Sequence, residues 1–325
     1  MHAALAEALR RRGGVRVLDL SVAEFNRADV LPTFLQSEVD VHGSHGLFYW
    51  LRARGRGTFV TSNDAGMMLT WRPDVRRLAA VRPVGDLDAV VALLEAAAAH
   101  APADVAFVVR YCAEDVAARL RERGWTGMRG RWRPDAPADD ETFPEVILTA
   151  PVMDLPGGQG YRPVREAVSR HHGRYAYRAS ARPLGIGEAR FIRREAARAG
   201  GYDEHEAGFT AAVLTSLDVA RHDWLTYHYL SRGQRLAGFA ITANITGIAH
   251  GYYLATLGVP RLTTFFLWHI YLQQRRSGAF ALNLGGSETA SLHKFKTRTF
   301  PEHVLQQTTV LQPPDLPPTT AGERA

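Results

Sequence analysis

Residues 225–256, LTYHYLSRGQRLAGFAITANITGIAHGYYLAT, decide the architecture. Three runs rich in β-branched and aromatic residues, 225–230, 236–244 and 248–256, are separated by turns at Gly233 and at Thr246-Gly247. They read as strands of an antiparallel meander. Residues 260–276 then change period: Pro260 stands at a helix start, and Leu262, Phe265, Phe266, His269 and Ile270 recur at helical spacing. Residues 280–284 form a short apolar strand that ends at Gly285-Gly286.

Working outward, helices are expected at 161–173, 187–199 and 203–218, with a short helix at 288–294 and a last strand at 304–311. The N-terminal half opens with a helix at 2–12 and a strand at 15–20. A short helix at 29–36, broken by Pro32, leads to strands at 47–53, 58–62 and 67–71, with turns at Gly55–Gly57 and Asn63–Gly66. A helix at 87–100, a strand at 105–111, a helix at 114–123 closed by Gly124 and a strand at 145–150 complete it. Each half thus runs helices, antiparallel meander, helix, strand, helix, strand. That order is the acetyltransferase-like (GNAT) layout used twice: an α/β chain of two tandem domains, each a mixed, mostly antiparallel sheet flanked by helices. The length of 325 residues also suggests two domains. The expected division is 1–150, 151–312 and a disordered Pro-rich tail at 313–325. No internal sequence repeat is visible.

No stretch approaches the ~18 apolar residues needed to span a bilayer. Residues 1–14 read as a helix containing Glu7, not as a signal peptide. The single cysteine, Cys112, excludes an intramolecular disulfide and a multi-cysteine zinc site, and a cytoplasmic location is expected. A packed thiol is its plainest role. His42, His45, His171 and His172 lack a carboxylate or thiolate at matching spacing, so they read as surface histidines and no metal is expected. The net charge of +6 favours an anionic partner. From Gly160 to Gly200, Arg162, Arg165, Arg170, Arg174, Arg178, Arg182, Arg190, Arg193, Arg194 and Arg198 face only Glu166, Glu188 and Glu195. Tyr161, Tyr175 and Tyr177 interleave with them as stacking partners for bases would. Arg162, Arg165, Arg170 and Arg174 are the candidate phosphate contacts.

The densest chemical signal is Phe280 to Glu288, FALNLGGSE, followed by Leu292-His293-Lys294-Phe295-Lys296 and Phe300-Pro301. Gly285 and Gly286 let a backbone approach a ligand, and Ser287 is placed to cap the next helix, whose start offers amide donors to an anion. Of the 39 basic residues only Lys294 and Lys296 are lysine. A lysine kept where arginine is otherwise universal implies that a compact ammonium is wanted there.

The LNLGGSE run with the later Phe-Lys and Phe-Pro pairs resembles the C-terminal signature of the Fem family of aminoacyl-tRNA-dependent peptidyl transferases. It is also similar to the soluble domain of phosphatidylglycerol lysyltransferases. Phe143 to Leu148, and Leu155-Pro156-Gly157 before an Arg-rich helix, resemble the segment joining the two domains of that superfamily. The resemblance covers roughly residues 140–310. It implies transfer of an aminoacyl group from tRNA, as co-substrate and without a cofactor, to an amine or hydroxyl. It also implies that Lys296 lines the transfer cleft. With no membrane region and no full Fem architecture in the sequence, the expected acceptor is a small amine-bearing molecule in specialised metabolism such as antibiotic biosynthesis, a cell-wall precursor being the alternative. The coiled-coil arm that some Fem proteins insert is missing here.

Aminolysis of an activated ester needs a neutral amine, orientation and oxyanion stabilisation. Lys296 and the amides of Gly285–Ser287 are candidates for the last; Glu288, His250 and His228 are candidate bases. Asn283, Tyr252 and Phe295 complete the candidate substrate contacts, with His228. The competing reading is an acyl-CoA-dependent N-acyltransferase, whose pyrophosphate loop would fall at Thr256–Thr264. That junction holds one glycine, and Pro260 removes a donor. A non-catalytic tRNA- or nucleotide-binding protein is the third.

Overall fold

The structure is a computed structural model, and it describes residues 3–11, 13–19, 58–72, 76–111, 113–127, 143–149, 158–185, 187–199, 225–244, 247–287, 289–306 and 310–314. The helices expected at 29–36 and 203–218, the strand at 47–53, the tail beyond 314, and His42, His45, Cys112 and Glu288 lie outside these residues.

The chain forms two units, each built on a seven-stranded sheet. In the first, α1 (Ala3–Arg10) precedes β1 (Arg16–Asp19), β2 (Thr58–Thr61), β3 (Ala65–Arg72) and β4 (Arg77–Gly85), which pair antiparallel in sequence order. Helix α2 (Leu87–Ala99), capped by Asp86, crosses over so that β5 (Ala106–Arg110) runs parallel to β4. Then come α3 (Glu114–Glu122) and β6 (Thr126–Gly127).

The second unit repeats the plan. After β7 (Glu145–Leu148) come α4 (Arg162–His171), β8 (Ala176–Ser180), α5 (Glu188–Ala199), β9 (Leu225–Arg232), β10 (Arg235–Asn244) and β11 (Ile248–Thr256). Strands β8 to β11 pair antiparallel in order. Helix α6 (Leu262–Arg276) crosses over to β12 (Ala281–Asn283), which is parallel to β11. Next are α7 (Ala290–Thr299), β13 (His303–Gln306) and, in the first sheet, β14 (Val310–Gln312). The tandem GNAT-like architecture read from element order is the one observed.

The strand orders are β1-β2-β3-β4-β5-β14-β6 and β13-β7-β12-β11-β10-β9-β8. They show what the sequence-based division missed. In each sheet one slot is filled by a strand far from its neighbours in the chain: β14 enters between β5 and β6, and β7 between β12 and β13. Strand β7, expected to close the first domain, lies between β12 and β13; the expected single strand at 304–311 splits into β13 in the second sheet and β14 in the first. All four residues of β7 are buried, as the EVIL composition of a central strand requires. Strands β4 and β8 are also additions to the sequence reading.

The second unit's main core lies between one sheet face and α4 and α6, with Leu230, Ala240, Ala249 and Leu282 against Val164, Phe266 and Ile270. Gly238 lets the Phe266 ring approach closely: a Cβ there would stand 3.0 Å from it. Glu188 fixes α5, its Oε1 accepting from Leu184 N, Gly185 N and the Tyr229 hydroxyl at 2.8–2.9 Å.

Candidate active site

Parallel pairing of β11 with β12 ends at His250↔Asn283. Beyond it β11 continues along β10, while Leu284 and Gly285 turn to β7: Leu284 N donates to Val146 O, and Val146 N to Gly285 O. Two strands that leave each other this way open a wedge. At its mouth Thr242 pairs with Gly251 and Ile241 with Tyr253, so Tyr252 is the extra residue of a β-bulge. Bulges concentrate beside active sites because they re-aim a strand where pairing stops.

Alternation along the strands sets His250, Asn283 and Glu145 on one sheet face, a polar row across β11, β12 and β7. All three are buried. Asn283 Nδ2 donates to Glu145 Oε2 at 2.7 Å, and Asn283 Oδ1 accepts from Gly285 N at 2.8 Å. Asn283 therefore fixes the loop, and the Gly285 amide, a candidate oxyanion donor, is engaged within the protein. Glu145 escaped the sequence reading. An acid opening an otherwise apolar strand was the signal that marked it.

Lys296 does not aim its charge outward. Its Nζ donates to the carbonyls of Leu284 (2.8 Å), Gly285 (3.1 Å) and Gly286 (2.5 Å), and the side chain is buried. Three oxygens converging on one nitrogen suit an ammonium and not a planar guanidinium, which explains a lysine here. Ser287 is not the helix cap. Thr289 caps α7, its Oγ1 accepting from Leu292 N, while Ser287 bridges to Phe143 and its buried hydroxyl makes no hydrogen bond among the described residues.

His228 is a core residue. Nδ1 meets the Tyr177 hydroxyl at 2.7 Å and Nε2 meets Thr242 Oγ1 at 2.8 Å, and burial pushes its pKa down to about 3. A base that stays neutral and fully engaged on the α6 side of the sheet does not face the wedge. Burial also raises the hydroxyl pKa of the partly exposed Tyr252 well above its usual value.

At the N-terminal ends of α4 and α6 lies a cleft of about 470 Å³ lined by Arg162, Pro163, Glu166, Arg261, Thr263, Thr264, Phe295 and Thr299. It unites two candidates, Arg162 and Phe295, with three residues of the strand–helix junction. Glu166 bridges Arg162 (2.6 Å) and Arg261, and the Arg162 hydrogen bond, with the Arg261 charge, holds its carboxyl below the ordinary range. Arg261 adopts a left-handed conformation (φ 64°) immediately before α6, a strain typical of functional junctions. The first amides are engaged, Arg162 N by Gln159 O and Leu262 N by Val259 O, and Pro163 has none, so it is the two arginines and the positive dipole ends of the helices that suit the cleft to an anion.

The arginine run is exposed along α4, β8 and α5, but its tyrosines are not base-stacking partners. Tyr161 is buried, Tyr175 packs at the core edge, and Tyr177 turns inward while Arg178 turns out, as strand alternation demands. Arg165 donates to Gly158 O, whereas Arg170 and Arg174 are exposed and make no ion pair with described residues. His171 is not at the surface: it is buried against Tyr175 and Phe265, with Nε2 3.0 Å from Pro260 O.

No family model and no curated protein matches the sequence. Solved structures do match. A conserved protein of unknown function from Bacteroides thetaiotaomicron is 15% identical with a TM-score of 0.67, over 92% of this chain and 99% of that one. The C-terminal domain of a putative lysylphosphatidylglycerol synthetase from Agrobacterium fabrum is 14% identical with a TM-score of 0.60, over 91% and 93%. FemX is 10% identical with a TM-score of 0.58, over 91% and 96%. The chain has the Fem-like fold. Within it, the wedge at His250 and the cleft at Arg261 belong to the second unit. Among the described residues no helix is long and apolar enough to cross a membrane.

Proposed function

We propose that the protein is an aminoacyltransferase that takes an aminoacyl group from tRNA and forms an amide on a small amine-bearing acceptor. The observation that carries this is the cleft in which Arg162 and Arg261 meet at two helix N-termini. Such a cleft suits the phosphates of a nucleotide-borne acyl donor. The exposed Arg170 on the same helix as Arg162, and Arg174 in the turn that follows it, form no ion pair with a described residue and extend the positive surface, which suits a polyanion. The fold shared with FemX and with the lysylphosphatidylglycerol synthetase domain supports a tRNA-borne donor.

In this reading Lys296 is a positioning residue that holds the Leu284–Gly286 loop at the wedge. His250 and Glu145 border the wedge as candidate proton acceptors for the attacking amine. The bulge at Tyr252 and the hydroxyl of Ser287 shape the ground where the ester carbonyl would lie. The small acceptor, a place in specialised metabolism and a cytoplasmic location complete the proposal.

One observation favours a second reading. The cleft is lined by Arg261, Thr263 and Thr264, the junction at which an acetyltransferase cradles pyrophosphate, so an acyl-CoA donor fits the same anion site. Binding of deacylated total tRNA at low and physiological salt, beside a thermal-shift titration with acetyl-CoA, separates the two. Salt-sensitive tRNA binding with no CoA response supports tRNA-dependent transfer; a CoA response without tRNA binding overturns it in favour of acyl-CoA.

A further inference from the structure

A second cavity lies in the same unit, at the other end of α6. It measures about 330 Å³ and is lined by Ala179, Ser180 and Ala181 after β8, Leu225 and Thr226 of β9, Asn244 of β10, and Gln273, Gln274 and Ser277 of α6. From Thr263 to Gln274 the helix advances about 16 Å at 1.5 Å per residue, so this cavity is separate from the anion cleft. Its described walls carry no ionised side chain.

One wall residue has an unmet hydrogen bond. Gln274 is 1% exposed and its Oε1 is buried with no partner, while Nε2 stands 3.4 Å from His228 Nε2. His228 is neutral, with one N–H and one lone pair, shared among Tyr177, Thr242 and Gln274. If Nε2 bears the lone pair, the Gln274 amine donates to it and the amide oxygen is unmet. If Nε2 bears the proton, Gln274 turns its oxygen inward and its amine is unmet. Either way one end of a buried amide is left over. Gln274 is a wall residue of the cavity, so that end lies at its wall. Thr226 and Asn244, half-exposed at the wall, make no side-chain hydrogen bond among the described residues. Ala179, Ala181 and Leu225 supply apolar surface.

We infer that this cavity is a binding site for a small uncharged molecule carrying a primary carboxamide, held by amide-to-amide hydrogen bonds to Gln274 and Asn244. Among the described residues the walls are uncharged, which disfavours a carboxylate or an ammonium, whose desolvation would find no counter-charge there. A carboxamide brings a donor and an acceptor on one edge, which satisfies Gln274 in either orientation. The volume stands at the small end of ligand clefts and fits a molecule of nicotinamide size. The inference is independent of the transferase reading.

Saturation-transfer NMR on the full chain tests it, with nicotinamide and propanamide as probes and nicotinate and propanoate as charged isosteres. Saturable binding of the amides with Kd near ~1 mM, and at least ~10-fold weaker binding of the acids, is expected. Gln274→Leu should weaken amide binding ~10-fold or more with the circular-dichroism spectrum unchanged. Ala181→Trp, at the exposed rim, should block it without touching the buried amide and keeps the test decisive if Gln274→Leu does not fold. No saturable amide binding, equal binding of the acids, or unchanged amide affinity in Ala181→Trp would overturn the site and leave a water-filled cavity.

Discussion

Glu145 and Asn283 are joined by a 2.7 Å hydrogen bond between neighbouring strands, although 138 residues separate them in the chain. The same asparagine accepts from Gly285 N, so one side chain holds both the buried carboxylate and the loop at the wedge. Asn283→Leu should leave a buried carboxylate short of a donor and a buried amide short of an acceptor. A loss of about 2–4 kcal/mol is expected, read as a lower urea midpoint with an unchanged m-value. Asn283→Asp should put two carboxylates side by side and be least stable at high pH, recovering as acid protonates one of them. An Asp variant indifferent to pH between 4 and 8 would show that the pair does not meet in solution.

Lys296 invites a different experiment from the one its sequence position suggests. A charge aimed into a cleft would be lost to Lys296→Ala at the expense of turnover alone. A lysine that gathers three carbonyls is lost at the expense of the fold: Lys296→Met should lower the melting temperature by several degrees, for a loss of roughly 2–4 kcal/mol. Lys296→Arg should not restore it, because a planar fork cannot point three N–H groups at one converging set of oxygens. Full thermal stability in Lys296→Met would return the residue to a direct role in the chemistry.

What the sequence made legible follows from locality. The meander at 225–256, the 260–276 helix and the strand before Gly285 declare themselves by period and turn residues within a few positions. Strand β8 was hidden because AYRAS lacks β-branched residues and sits inside an arginine run at a sheet edge. Strand β4 was masked by Arg82-Pro83. The exchange of β7 and β14 between sheets leaves no local mark: VLQQTTVLQ reads as one strand, and only pairing partners far along the chain divide it. The site shows the same limit. The lysine bias and the Fem-like motif singled out Lys296, Asn283 and Phe295, but which groups each side chain would satisfy depended on carbonyls and a carboxylate that the fold brings in.

His228 makes the protein acid-sensitive. Its pKa is depressed to about 3 in the folded state against an ordinary 6.5, so below pH 6.5 the unfolded chain binds a proton that the folded chain refuses. Stability is complete above about pH 6.5 and falls as pH drops toward 3, by about 2 kcal/mol at pH 5 from this residue. Burial depresses His269 in the same direction, so some slope remains without His228. In urea titrations at pH 7.5 and pH 5, His228→Gln should show a smaller difference between the two midpoints than the wild type. An equal difference would place the acid sensitivity elsewhere.

Arg170 and Arg174 test the proposed nucleic-acid surface without disturbing the fold. Both are exposed, and neither closes an ion pair with a described residue, so removing them should leave the melting temperature within about 1 °C. Each phosphate contact releases counterions and adds about 0.7–0.9 to the slope of log K against log salt. The Arg170→Ala, Arg174→Ala double variant should therefore bind deacylated tRNA more weakly at low salt and lose between one and two units of that slope. Arg162→Ala should act differently. It removes one of the cleft's two cations and leaves Glu166 paired with Arg261 alone, so that no net positive side chain remains there, and should weaken donor binding more than the slope alone requires. A double variant with an unaltered slope would show that tRNA, if it binds, crosses another face of the molecule.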